Sequence, residues 1–134
     1  MYKILFLIFI SLFFVSCSSK NNAFKYFEKD EVETKGVQYT KKTDILINGN
    51  EVDVIFWATY LNKIDKKISD TNEELFLVSV YFTNKESQDI FENNYSFLLN
   101  GIEPTSLEKV EKDNENFKSL MLKNNWGKYY LVKF

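Results

Sequence analysis

The stretch from Val52 to Leu61 constrains the fold of this 134-residue chain more than any other. Val52, Val54, Phe56, Ala58 and Tyr60 fall on one side of an extended backbone, and Ile55, Trp57 and Leu61 on the other. A period of two belongs to a β-strand, whose successive side chains point to opposite faces. Apolar residues on both faces point to a strand covered on both sides, or to one whose second face meets a loop. Leu75 to Thr83 alternates as well, with Phe76, Val78, Val80 and Phe82 on one face and Ser79 and Thr83 on the other. From Phe24 onward the chain reads as β structure broken by closely spaced turns.

The turns carry their own signals. Asn48-Gly49 separates a strand over Asp44 to Ile47 from the long one, and Asn100-Gly101 separates Tyr95 to Leu99 from a segment starting at Ile102. Asn-Gly favours the type I′ hairpin turn because both residues accept positive φ. Pro104, the only proline, predicts an edge strand or an early bend. Lys85 to Glu92 suits a short helical turn through Ile90 and Phe91, and Asn116 to Leu122 fits a strand or a helix equally. Tyr129 to Phe134 reads as a final strand, entered through Trp126-Gly127. The expected fold class is all-β: about seven short strands in a two-sheet antiparallel sandwich.

The N-terminal residues have a different anatomy. Met1-Tyr2-Lys3 is followed by an apolar run from Ile4 to Val15 with Ser11 as its one interruption, then Ser16-Cys17-Ser18-Ser19-Lys20. A positive start, a short apolar core and a small residue at its end describe a secretory signal peptide. A permanent membrane span needs about 20 apolar residues, more than this run supplies. Cys17, the chain's only cysteine, falls where the signal ends. The segment resembles the lipobox of bacterial lipoprotein precursors, with Phe14 a departure from the commoner leucine. The resemblance implies cleavage before Cys17, a diacylglyceryl thioether on its sulfur and an amide-linked acyl chain such as palmitate on its new amino group. One chain alone binds a bilayer weakly, whereas several together anchor it. Ser18 after the cysteine implies sorting to the outer membrane rather than the inner one. The expected organisation is a signal peptide over 1–16, a lipidated tether over 17–22 and a β domain over 23–134.

The domain pattern, above all Asn100-Gly101 and the run Trp126-Gly127-Lys128-Tyr129-Tyr130, resembles the immunoglobulin-like lipoproteins of AT-rich bacteria of the Campylobacter and Helicobacter kind. Trp57 or Trp126 would then fill the core volume taken by a disulfide in antibody domains. No disulfide is available here, because the one cysteine is the lipid attachment site. The β-prone run Tyr129 to Phe134 has two readings: an edge strand closed by Phe134, or an open edge of a shortened sandwich that another chain completes by strand addition. The second reading implies a strand-addition dimer.

Chemistry is sparse. The chain has no histidine, which removes the usual triad, the imidazole base and the usual zinc ligands. Its four glycines form no phosphate-binding loop. Acidic residues cluster at Asp30, Glu31 and Glu33, at Glu73 and Glu74, and at Glu111, Asp113 and Glu115, but none has the spacing of a calcium loop. Set among lysines, they read as solvated surface. The expectation is a non-enzyme with no metal and no cofactor. All basic residues are lysine, and loss of Lys3 with the signal leaves a net charge of −3 from the precursor's −2. A chain without arginine and with negative charge is poorly suited to nucleic acid. Asn94 in Asn94-Tyr95-Ser96 is a candidate glycosylation acceptor, with Glu92 at the preceding acidic position that bacterial oligosaccharyltransferases of the Campylobacter kind require.

Two functional classes follow. The first is a lipid-anchored, non-catalytic binding or assembly module of the bacterial envelope with a protein partner, which the aromatic content of 17% suits. The alternative is a surface-exposed adhesin or antigen that contacts host molecules. A third, a carrier of a small apolar ligand, requires a cavity in the core.

Overall fold

The computed structural model describes residues 31–66, 72–122 and 126–134. The expected signal peptide over 1–16, Cys17 and the expected tether lie outside them. Helix α1 (Glu31–Gln38) leads into strand β1 (Thr40–Ile47), which turns back as β2 (Glu51–Tyr60). A short 3-10 helix (Leu61–Lys63), β3 (Leu75–Phe82), β4 (Ser106–Val110) and β5 (Lys128–Lys133) follow. The strands form one antiparallel sheet in the order β1-β2-β3-β5-β4.

The period-two segments became the centre of this sheet. Val54, Phe56 and Ala58 of β2 share a face with Phe76, Val78, Val80 and Phe82 of β3 and with Tyr130 and Val132 of β5. The long connection from β3 to β4 covers that face through Ile90 and Phe97. Its path is fixed at two points: the Ile90 amide donates to the Tyr130 hydroxyl at 3.0 Å, and the Gln88 side chain bonds both backbone groups of Phe82. The opposite face carries Leu75, Leu77, Tyr129 and Val110 and is roofed by α1 and by Phe117, Leu120 and Met121 of the β4–β5 connection. Cover on both sides matches the apolar residues on both faces of β2, and on the second face part of that cover is a loop connection, as the alternative reading had it.

Asn48 and Gly49 both have positive φ, as do Asn100 and Gly101. The first pair makes the expected hairpin, with β1 four residues longer at its start than the sequence suggested. The second makes a tight turn closed only by the Leu99–Ile102 bridge. Tyr95 to Leu99 is therefore not a strand: its aromatic residues pack down onto the sheet instead of pairing beside it. Pro104 precedes β4, an edge strand, as expected. The expected helical turn sits at 90–94, and 115–120 forms hydrogen-bonded turns, neither strand nor helix.

Three expectations are corrected. Residues 31–38 are helix, not β: Glu31 and Glu33 occupy the positive N-terminal end, and Glu31 pairs with Lys35 one turn on at 2.8 Å. Among the described residues the strands number five in one open antiparallel sheet, not seven in two, and Tyr95 to Leu99 and the 115–120 turns cover that sheet without adding strands. Tyr129 to Phe134 is neither an edge nor open, since β5 lies between β3 and β4 and both its sides are paired.

Candidate functional site

The roof over the second face does not close completely. A cleft of about 500 Å3 opens between α1, the sheet and the 118–122 segment, lined by fifteen residues that include Gly36, Trp57, Leu77, Leu120 and Tyr129. Its floor is built by register: Trp57 pairs with Ser79, and Ser79 with Tyr129, so three neighbouring strands present an indole, a small hydroxyl and a phenol in one row. A serine between two large rings leaves the row low in the middle, and the cleft sits over it.

Gly36 sets the roof. A Cβ there would come within 2.6 Å of Leu120 Cδ2, so only glycine lets α1 approach this closely with that leucine in place. Thr40, just after α1, ties helix to sheet. Its hydroxyl donates to the Gly36 carbonyl at 2.6 Å, so the 2.6 Å contact with Thr59 has the Thr59 hydroxyl as donor. On the other wall the Leu122 amide donates to the Tyr129 hydroxyl at 2.7 Å, holding the 118–122 segment over β5. Burial pushes the Tyr129 phenol up from its ordinary pKa, against the opposing effects of that amide and of the Ser79 hydroxyl.

The cleft is apolar with little charge inside. Ser79 is buried beside Tyr129, its partner across the strands. At the mouth, Lys42 pairs with Asp44 at 3.1 Å and lies 5.9 Å from the Trp57 ring centre, and Lys118 pairs with Glu115 at 2.6 Å. Both lysines of the lining are thus paired with carboxylates, and Glu33 of α1 adds a half-buried carboxylate at the same rim. Val37 and Leu122 expose apolar surface there, Val37 to 64%. The lining is thus mostly apolar, with its charged groups confined to Glu33, Lys42 and Lys118. It offers no paired carboxylates, no nucleophile with a base and, among the described residues, no cluster of metal-ligating side chains.

Of the residues singled out in the sequence, Asn94 lies at an exposed turn with φ of 56°, open to solvent. Trp57 lines the cleft, whereas Trp126 is exposed and stacks edge-on against Tyr81 with 5.4 Å between ring centres. Thr40, Thr59, Ser79, Leu120 and Met121 were not anticipated as site residues. Of these only Ser79 carried a signal, a small polar residue at mid-strand opposite an apolar face. Compared with known proteins, the chain matches no family model, and no curated protein or solved structure is significantly similar to it.

Proposed function

We propose that this chain is a non-catalytic binding module of the bacterial envelope, held to the membrane by acylated Cys17, and that the cleft beneath α1 receives a small, uncharged, predominantly apolar ligand. The cleft carries this reading. Its volume lies within the range of small-molecule sites, and its lining combines apolar side chains with few polar groups, as such sites do. The anchor is supported by the lipobox-like residues before Cys17, and Ser18 favours the outer membrane. The reading does not depend on an immunoglobulin-like sandwich, which would need a second sheet beside the five strands described.

A titration tests it. N-phenylnaphthylamine, a neutral apolar fluorophore, is added to the chain from residue 17 bearing Cys17→Ser, which removes the lipid. Saturable one-to-one binding is expected, and Val37→Trp, a substitution at the exposed mouth, is expected to weaken it about tenfold or more by blocking entry. Absence of saturable binding, or equal binding by the variant, contradicts the proposal.

A further inference from the structure

Among the described residues the sheet has two unpaired edges, and they are not alike. β4 offers five residues with Pro104 close before it, whereas β1 offers eight, nearly all exposed. The backbone register shows which β1 groups face outward. The Tyr60 amide donates to the Tyr39 carbonyl at 3.1 Å, which marks that pair as hydrogen-bonded to β2. In an antiparallel ladder the pattern repeats every second residue. Lys41, Thr43 and Ile45 therefore spend their backbone groups on β2, and Thr40, Lys42 and Asp44 turn theirs away from it. Lys42 and Asp44 also share one face of the sheet, where they touch at 3.1 Å.

We infer that this edge pairs with the same edge of a second copy of the chain, in the one register centred on Thr43. Two copies using the same edge are related by a two-fold axis, so the new pairing is antiparallel and each side chain keeps its face. The ladder forms only where outward residue meets outward residue, which leaves registers two residues apart. Centred on Lys42, two ammonium groups stand opposite each other. Centred on Asp44, two carboxylates do. Centred on Thr43, Lys42 of each copy stands opposite Asp44 of the other, and both cross-strand pairs are of opposite charge. Opposed charges directly across a strand pair stabilise it and like charges destabilise it, so of the registers that set Lys42 and Asp44 within the ladder's centre, charge selects this one, the only one with two opposite-charge pairs. Edge lysines ordinarily guard a sheet against pairing. Here the guard is cancelled by the chain's own Asp44 and persists against strands that lack an acid at that position. The result is a continuous ten-stranded sheet across two copies, five from each.

The register gives a direct test in the full chain within the envelope of cells that produce it. Thr43 would face its own copy as a non-hydrogen-bonded pair with Cα atoms about 4.5 Å apart, within the range a disulfide spans. Thr43→Cys is therefore expected to give a disulfide-linked dimer under mild oxidation, well above the level of the unaltered chain. Ile47→Cys, on the same exposed strand, would lie more than about 20 Å from its own copy and is expected to stay at that level. Adding Asp44→Lys to Thr43→Cys sets like charges across the pair and should cut the linked fraction roughly tenfold. Adding Lys42→Asp as well should restore it, which separates loss of pairing from loss of folding. No crosslink at Thr43→Cys, equal crosslinks at both positions, or indifference to the charge reversal each overturn the proposal.

Discussion

Asp53 is the residue whose environment is least expected from its type. It is 4% exposed at the end of the sheet, where the Tyr95 hydroxyl donates to its Oδ2 and Oδ1 has no partner among the described residues. Tyr95 also packs on Phe82 with 5.1 Å between ring centres. Tyr95→Phe keeps the ring and leaves the carboxylate without its donor, which is expected to destabilise the fold by about 1–3 kcal/mol in denaturant unfolding. An unchanged midpoint would show that water already serves Asp53. Tyr130 gives a pH signature. Burial pushes its phenol up to about 12, so the folded chain resists phenolate more than the unfolded chain, whose tyrosines ionise near pH ~10. This contribution to stability is complete below about pH 10 and is lost as pH rises toward 12. Tyr129 is shifted in the same direction by burial. The thermal midpoint is expected to fall across that window, less steeply in Tyr130→Phe, and an equally steep fall in the variant would contradict the assignment. At this scale the sequence misleads about Ser79. Opposite an apolar face it reads as solvent-facing, yet it is 2% exposed, because covering by α1 and the 117–121 turns is a long-range event that alternation does not encode.

The strands β2 and β3 were legible because a covered, period-two pattern admits few alternatives. The hairpin at Asn48-Gly49 was legible because both positions need positive φ, and Gly49→Val is expected to cost about 1–2 kcal/mol for forcing a branched residue into that region. The helix was not legible. Its eight residues carry one buried position, Gly36, and glycine is a poor helix former. What it contributes is close approach, not propensity. Gly36→Ala should thus separate stability from binding: better helix propensity offsets the displaced Leu120, leaving the unfolding midpoint within about 1 kcal/mol, while the side chain pushed aside narrows the cleft and weakens probe binding. Equal affinity would mean Leu120 moves outward instead. The final strand was recognised as a strand but misplaced at the edge, since strand order depends on crossovers that local pattern leaves open.

For the whole molecule, one sheet covered on both sides by non-regular connections has a consequence for function. Loops roof a sheet less completely than a second sheet or a long helix would, and the residual gap is the cleft. The same open architecture leaves β1 as a long edge unpaired among the described residues, so the proposed ligand site and the proposed self-pairing share one structural cause on adjacent parts of the sheet: Lys42 lies on that edge and lines the cleft. Neither site was visible in the sequence, whose clearest message concerned the N-terminus and Cys17. The most direct test of the central claim is native mass spectrometry of the protein extracted from its own membrane in mild detergent. The expected species is the chain from Cys17 to Phe134 carrying the mass of its acyl groups, together with a non-covalently held small molecule released on activation. A mass equal to the unmodified 134-residue chain with nothing bound would contradict both the anchor and the ligand.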